Sequence, residues 1–327
     1  MEDKEVKYQI SVIISNFNGS KYLRKLLDTL KEQVNVQLQI IIVDRNSTDN
    51  SLSIIKEYPE VKVVFLAPEH GLVAGYHHGY KEALYDLLFF CNEDMWFDPS
   101  CMYECAKMID LQKSIAASDP WQWTYDTIHL LHAGVRFKRS FTAYNLSQPI
   151  PFIEEDTEVI LNHGQFVPIM SAGAGLIHRR AYEETGGWDT SFFLDAEEQD
   201  FFLRFWKIGW RAVTVPSAKV YHALSVSNNK IVKNTSVKER RYVSNFSNKS
   251  IIAIKYFPVW YIFLNIMARL LIIIVNLFKL RFKIVIYQLR SLRLTFKRLR
   301  PAITYRKKFL ANDMPSSLDY YNEFMAF

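Results

Sequence analysis

The stretch Leu87-Leu88-Phe89-Phe90-Cys91-Asn92-Glu93-Asp94 decides how the rest of the chain reads. Five apolar residues in a row, two of them aromatic, suit a strand buried on both faces of a parallel sheet. The run then stops at three polar residues, two of them acids. In an open α/β sheet, ligands bind just beyond the carboxyl ends of the strands. Carboxylates delivered there suit a hard cation, Mg²⁺ or Mn²⁺, that carries phosphate oxygens. The competing reading is a plain turn that caps the helix after Pro99.

Upstream of this stretch, residues 9–15 hold Ile10, Val12, Ile13 and Ile14, a β-branched strand that ends at the turn Asn16-Phe17-Asn18-Gly19. Ser20 caps a helix to Glu32, with Leu23, Leu26, Leu27 and Leu30 on one face. A second strand over 38–43 runs directly into Asp44-Arg45-Asn46-Ser47-Thr48-Asp49. A helix from about Asn50 gives way at Pro59 to a third strand over 61–66. Gly71, Gly75 and Gly79 then lead through another helix to the opening stretch. Strand and helix alternate with short connections, so the expected fold class is α/β, a doubly wound and mostly parallel sheet.

Downstream the pattern loosens. A helix is expected over 102–111, a short strand over 115–117, and hairpins and loops over 121–168. Order returns with Ser171-Ala172-Gly173-Ala174-Gly175, Gly186-Gly187-Trp188-Asp189 and Phe192-Phe193. Glu197-Glu198-Gln199-Asp200 opens an amphipathic helix that Gly209 closes, and a strand over 213–220 leads to Tyr221-His222.

Charge divides the chain unevenly. Its 327 residues carry a net charge of +6, but residues 1–239 hold 24 Lys and Arg against 31 Asp and Glu, and residues 240–327 hold 16 against 3. The expected organisation is a catalytic unit over 1–240, with a nucleotide-binding half (8–98) and an acceptor-side half (99–225), followed by a basic amphipathic helical tail over 241–327. Within the tail, 256–278 is apolar and long enough to span a bilayer, yet Pro258 and Arg269 interrupt it. Beyond it, Phe282, Val285, Leu289, Leu292, Phe296 and Leu299 form a stripe flanked by Lys279, Lys283, Arg290, Arg293, Lys297 and Arg300. An acid-free helix of that pattern suits the plane of an anionic membrane surface. A transmembrane span and a helical pair packed on the catalytic unit are the alternatives. The three cysteines lack paired spacing and the N-terminus lacks a signal-peptide pattern, which places the expected site of action at the cytoplasmic face of the membrane.

The order of these motifs resembles the family 2 glycosyltransferases, in particular the bacterial branch of rhamnosyltransferase-like enzymes with the GT-A fold. The anchors are Ile42-Val43-Asp44 with Asn46-Ser47-Thr48-Asp49, the glycine run 71–79, Asn92-Glu93-Asp94, Ala172-Gly173-Ala174, Gly186-Gly187-Trp188-Asp189 and Glu197-Glu198-Gln199-Asp200. The resemblance implies an inverting transfer of a sugar from a UDP- or dTDP-sugar to a hydroxyl of a surface-polysaccharide or lipid-linked acceptor. It assigns Asp44, Asn46, Gly71, Asn92, Glu93, Ala172 and Gly173 to the nucleotide sugar. Mg²⁺ or Mn²⁺ falls to Asp94 and His222, the base to Glu198 with Glu197 beside it, and the acceptor wall to Trp188, Phe192 and Phe193. The family's Asp-x-Asp motif here has Asn92 in first place.

The residues themselves leave other readings open. Asp44 and Asp49 also suit helix capping, and the glycine spacing also suits close packing of helix on sheet. Asp200 is spaced to pair with Arg204. Two further functions compete: a catalytically inactive glycan- or membrane-binding relative, and a nucleotidyltransferase. No feature calls for nucleic acid.

Overall fold

The computed structural model describes residues 6–67, 70–127, 129–137, 143–145, 165–167, 169–223 and 235–311. The first half runs β1 (Tyr8–Asn16), α1 (Ser20–Lys31), β2 (Val36–Asp44), α2 (Ser51–Ile55), β3 (Lys62–Phe65), α3 (Leu72–Tyr80) and β4 (Leu87–Asn92). Next come β5 (Met95–Phe97), α4 (Cys101–Lys107), β6 (Ile115–Thr124) and β7 (Leu130–His132), then a ribbon of β8 (Val135–Phe137) and β9 (Ala143–Asn145). The chain continues with β10 (Gln165–Val167), β11 (Ala174–His178), α5 (Arg179–Glu184), α6 (Glu197–Lys207) and β12 (Arg211–His222). Three long helices follow: α7 (Thr235–Tyr256), α8 (Val259–Phe278) and α9 (Phe282–Ala311).

One ten-stranded sheet organises the molecule, in the order β10-β12-β6-β11-β4-β1-β2-β3, with β5 added on β12 and β7 on β6. Strands β4, β1, β2 and β3 are parallel, as the alternation of β-branched runs with helices requires. Strand β11 enters antiparallel between β4 and β6 and turns the sheet from one half to the other. Expected features of the middle region change in two respects. The short strand over 115–117 extends to Thr124, because its polar residues find internal partners: the Ser118 hydroxyl donates to the Cys105 carbonyl (2.9 Å), and Asp119 pairs with His132 (2.8 Å). The helix over 102–111 stops at Lys107 and gives way to a 3-10 turn over Leu111–Lys113. Most of 138–164 lies outside the described residues.

Each face of the sheet has its own core. Leucines 23, 26, 27 and 30 of α1, with Cys101, Met102 and Cys105 of α4, cover one face. On the other, Tyr76 of α3, Tyr182 of α5 and Phe201, Phe202 and Phe205 of α6 form one cluster. Ile251, Ile252, Ala253 and Tyr256 of α7, Phe257 and Ala302 of α9 belong to that same cluster. The boundary expected at 240/241 falls inside α7.

Helix α9 runs alongside α7: Gln288 donates to the Tyr242 hydroxyl, Thr295 to Ser247, and Arg306 to the Ile254 carbonyl. Helix α8 lies outside this pair. Its one charge, Arg269, is turned inward and donates to Ser250 (2.8 Å), Ser291 (2.7 Å) and Thr295 (3.3 Å). Trp260, Phe263, Leu264, Leu271, Ile274 and Phe278 are left exposed on the outer side.

Candidate active site

The nucleotide side begins where β1 and β2 end. Asp44 is fully buried, accepting from the Asn16 side-chain amide (2.7 Å) and the Ser47 backbone N–H (2.9 Å). These bonds bend the chain after β2, with Asn46 in the left-handed region at φ 60°, a conformation that asparagine tolerates. Arg45 next to Asp44 packs against Phe17, and its buried Nε has no partner. Burial lowers the Arg45 pKa, and Glu93 and Asp44 oppose that. Asp49 accepts from the Ser51 N–H (3.0 Å) and from the Ser20 N–H (2.9 Å), so it ties α1 to α2.

At the end of β4 the two acids separate. Glu93 is buried beneath Gly19, where an added Cβ would lie 2.6 Å from the Glu93 side chain. Burial pushes the Glu93 carboxyl up to about 7, Asp94 adds to the rise, and Arg45 opposes it. Asp94 faces His222 at the end of β12, with Nε2 3.1 Å from Oδ1. Asn92 accepts from the Tyr76 hydroxyl (2.8 Å), which also lies 2.9 Å from the Ala172 carbonyl. The Asn92 N–H donates to the carbonyl of Gly173, where a Cβ would meet Met95 at 2.9 Å.

The glycines of the run 71–79 are closely packed. A Cβ on Gly71 would stand 2.0 Å from the Phe193 carbonyl oxygen, one on Gly75 would be 2.2 Å from Ser15 Oγ, and one on Gly79 would be 2.4 Å from Ile13. Four-residue spacing on α3 places Gly71 beside the loop before α6 and the other two against β1. The three aromatics expected to wall the acceptor differ in burial. Trp188 and Phe192 lie in the core, packed by Tyr76 and Phe201 and by Lys255 and Arg298 respectively, so neither ring face is open. Phe193 is half-buried, with the Arg240 guanidinium 3.9 Å over its ring.

The acceptor side is built on the first turn of α6. Glu197 is buried with no partner on Oε2, while Glu198 is half-buried. Burial pushes the Glu198 carboxyl up to about 7; Asp195 adds to the rise and His132 opposes it. Burial, and then Glu198, raises Glu197 further. Asp200 points into the core, where Arg204 (2.9 Å), Lys255 (2.7 Å) and the Tyr256 hydroxyl (2.7 Å) satisfy it. Lys255 also reaches Asp189 at 2.9 Å; burial alone would raise that acid, but the ammonium holds it down at about 2.

Sequence reasoning missed Tyr76, His132, Arg241, Asn248 and Lys255. The last three recur every seven residues, which places them on one face of α7, and that spacing was available as a signal. Nothing local in the sequence marks the other two.

Among the described residues no group of three or more His, Cys, Asp and Glu side chains is arranged around a metal position. Asp94 and His222 nevertheless fit a hard cation that draws its remaining oxygens from a diphosphate and water, since Mg²⁺ commonly takes only one or two protein ligands.

With this geometry in place, the chain matches the model of glycosyl transferase family 2 over residues 11–184, and it belongs to that family. Its fold is GT-A, the mixed sheet of such enzymes. Among individual proteins, it is 27% identical to the uncharacterized glycosyltransferase YwdF of Bacillus subtilis over 74% of this chain and 84% of that one. Its fold is similar to GalNAc-T7, solved with UDP, GalNAc and Mn²⁺ (TM-score 0.61, 14% identity, 79% of this chain and 49% of that one). It is also similar to the mannosyltransferase PcManGT of Pyrobaculum calidifontis, solved with GDP-Man and Mn²⁺ (TM-score 0.51, 16% identity, 89% and 86%).

Proposed function

We propose that this glycosyltransferase moves a sugar from a UDP- or dTDP-activated donor, with inversion at the anomeric carbon, to a hydroxyl of a surface-polysaccharide or lipid-linked acceptor. The observation that supports this most is Glu198: a half-buried carboxyl pushed up to about 7, on the N-terminal turn of α6 beside Glu197, which with Glu93 of the β4 end faces Tyr76. A general base works best when its pKa lies near the working pH. Asp44 and Asn46 hold the nucleoside, while Asn92, Ala172 and Gly173 shape the floor beneath the sugar.

Asp94 and His222 would hold Mg²⁺ or Mn²⁺ on the diphosphate. When bound, such an ion neutralises charge on the departing nucleotide as a Lewis acid. Glu198 takes the proton of the acceptor hydroxyl as its oxygen attacks the anomeric carbon in line. Glu197, whose burial favours its neutral form and whose Oε2 has no partner among the described residues, orients that hydroxyl. The test is a panel of UDP-, dTDP- and GDP-sugars with Mn²⁺, read as released nucleotide from the full chain. One nucleotide class should be released, and EDTA or Asp94→Ala should abolish that release. No release from any donor would favour the inactive-relative reading, and release undiminished by EDTA would remove the metal.

The proposed partner of the tail is the anionic cytoplasmic membrane surface, with α8 lying in its plane. Both ends of α8 return within a few residues to helices packed against the catalytic fold, and its only charge faces inward. The exposed apolar side chains of α8 are bordered by exposed Lys279, Arg281, Lys283, Arg293, Lys297 and Arg300. Each cation near such a surface contributes roughly 1 kcal/mol. The full chain should sediment with phosphatidylserine-containing vesicles, and high salt should weaken that binding only in part. A chain that stays in the supernatant contradicts the membrane role.

A further inference from the structure

We propose that α7 supplies positioning residues to the reaction: Arg241, Asn248 and Lys255 clamp the loop before α6 and so aim Glu197 and Glu198 into the cleft. The proposal rests on the reading of Glu198 as base, but its geometry stands apart from that reading. Asp195 and Ala196, the two residues immediately before the acid pair, both lie in the left-handed region, at φ 68° and 69°. A side chain with a Cβ is strained there, and two in succession persist only when their surroundings hold them. Ala196 is the N-cap of α6 and provides no side-chain cap of its own.

The hold comes from α7. Arg241 grips the Asp195 carboxylate with two bonds, Nε to Oδ2 (3.1 Å) and Nη2 to Oδ1 (3.0 Å). The Asn248 amide donates to the carbonyls of Leu194 (3.0 Å) and Asp195 (2.7 Å). Asn248 is itself oriented by Arg298 of α9, which donates to its Oδ1 (2.7 Å) and to Ser191 (3.0 Å). Lys255 closes the far end on Asp189 and Asp200. Seven-residue spacing turns successive side chains by only about 20° on a helix, so one face of α7 follows the whole loop.

The charged and titratable groups that face the acid pair are Asp195 in the loop, Arg241 of α7, His132 of β7 and Tyr76 of α3. Losing Arg241 would therefore leave Asp195 uncompensated beside Glu198.

The test uses the full-length protein and compares Arg241→Gln, Arg241→Lys and Asn248→Ala with wild type by amide hydrogen exchange. Exchange over residues 195–198 should quicken about tenfold in Arg241→Gln, the factor that a charge-assisted hydrogen bond is worth, about fivefold in Asn248→Ala, which loses neutral bonds, and less than tenfold in Arg241→Lys. Strands β1, β2 and β4 should exchange as in wild type. Where nucleotide release is followed against pH, the acid limb of Arg241→Gln should move to higher pH, and adding Asp195→Asn should move it back. Exchange unchanged over 195–198, or quickened equally throughout the sheet, overturns the clamp. If Glu198→Gln keeps full turnover, the assignment of the base fails, and the exchange result still decides the clamp.

Discussion

At the proposed nucleotide side, Asp44 finds its partners in Asn16 and Ser47, all within β1-α1-β2 and the turn that follows it. Around α6, Asp189 and Asp200 add to the local Ser191 and Arg204 the distant Lys255 and Tyr256, 55 to 66 residues further along the chain. The first region closes its polar groups with what it has just built. The second also has local partners, Ser191 for Asp189 and Arg204 for Asp200, but it draws Lys255 and Tyr256 of α7 onto the same two carboxylates, and it shares its apolar cluster with that helix. The C-terminal helices therefore share the core of the α6 half of the fold, besides forming the proposed membrane contact.

The comparison would break most visibly on truncation. Ending the chain at residue 240 removes Ile251, Ile252, Tyr256, Phe257 and Ala302 from a shared core. Each large apolar side chain contributes about 1.5–3 kcal/mol by burial, against a total stability of about 5–15 kcal/mol. The truncated protein should show no cooperative thermal transition by near-ultraviolet circular dichroism. A sharp, wild-type-like transition would mean that the acceptor half is complete without its tail.

Smaller changes sharpen the contrast. Lys255→Met leaves Arg204 as the one cation hydrogen-bonded to Asp200 and should lower stability by about 3–5 kcal/mol in urea unfolding, the cost of breaking a buried ion pair. Asn16→Ala on the nucleotide side removes one neutral partner of Asp44 and should lower it by about 1–3 kcal/mol. Equal losses would erase the distinction between the two regions.

Glu197 gives the smallest effect, and its sign is fixed. Its folded pKa is raised above the unfolded value of 4.5. The folded protein therefore binds the extra proton, and stability falls as pH rises from there towards the folded pKa. Glu197→Gln should raise the thermal midpoint slightly at pH 8 and leave it unchanged at pH 4.

The nucleotide side was legible in the sequence because its signals are local. Runs of Ile, Val and Phe ending in Asp44 and in Asn92-Glu93-Asp94 marked both the strands, which the structure shows, and the place of the candidate site. The i,i+4 spacing of Asp200 and Arg204 was also readable, and the structure shows that pair. Gly71, Trp188 and Phe192 read two ways in the sequence because glycine and aromatics serve packing and binding alike, and the structure shows their packing. The tail was read by its charge and apolar stripe, which describe its outer side. Its inner side, with Arg241, Asn248, Lys255 and Arg269 turned towards the protein, was hidden by the same basic composition.

The most direct test of the account is turnover of Glu198→Gln beside Glu197→Gln, both full length, with the donor that the wild-type chain uses and with nucleotide affinity measured in parallel. Loss of a general base costs about 10²–10⁴-fold, so Glu198→Gln should lose that much kcat while binding nucleotide as wild type does. Near-wild-type turnover in Glu198→Gln, with Glu197→Gln the crippled variant, would contradict the account.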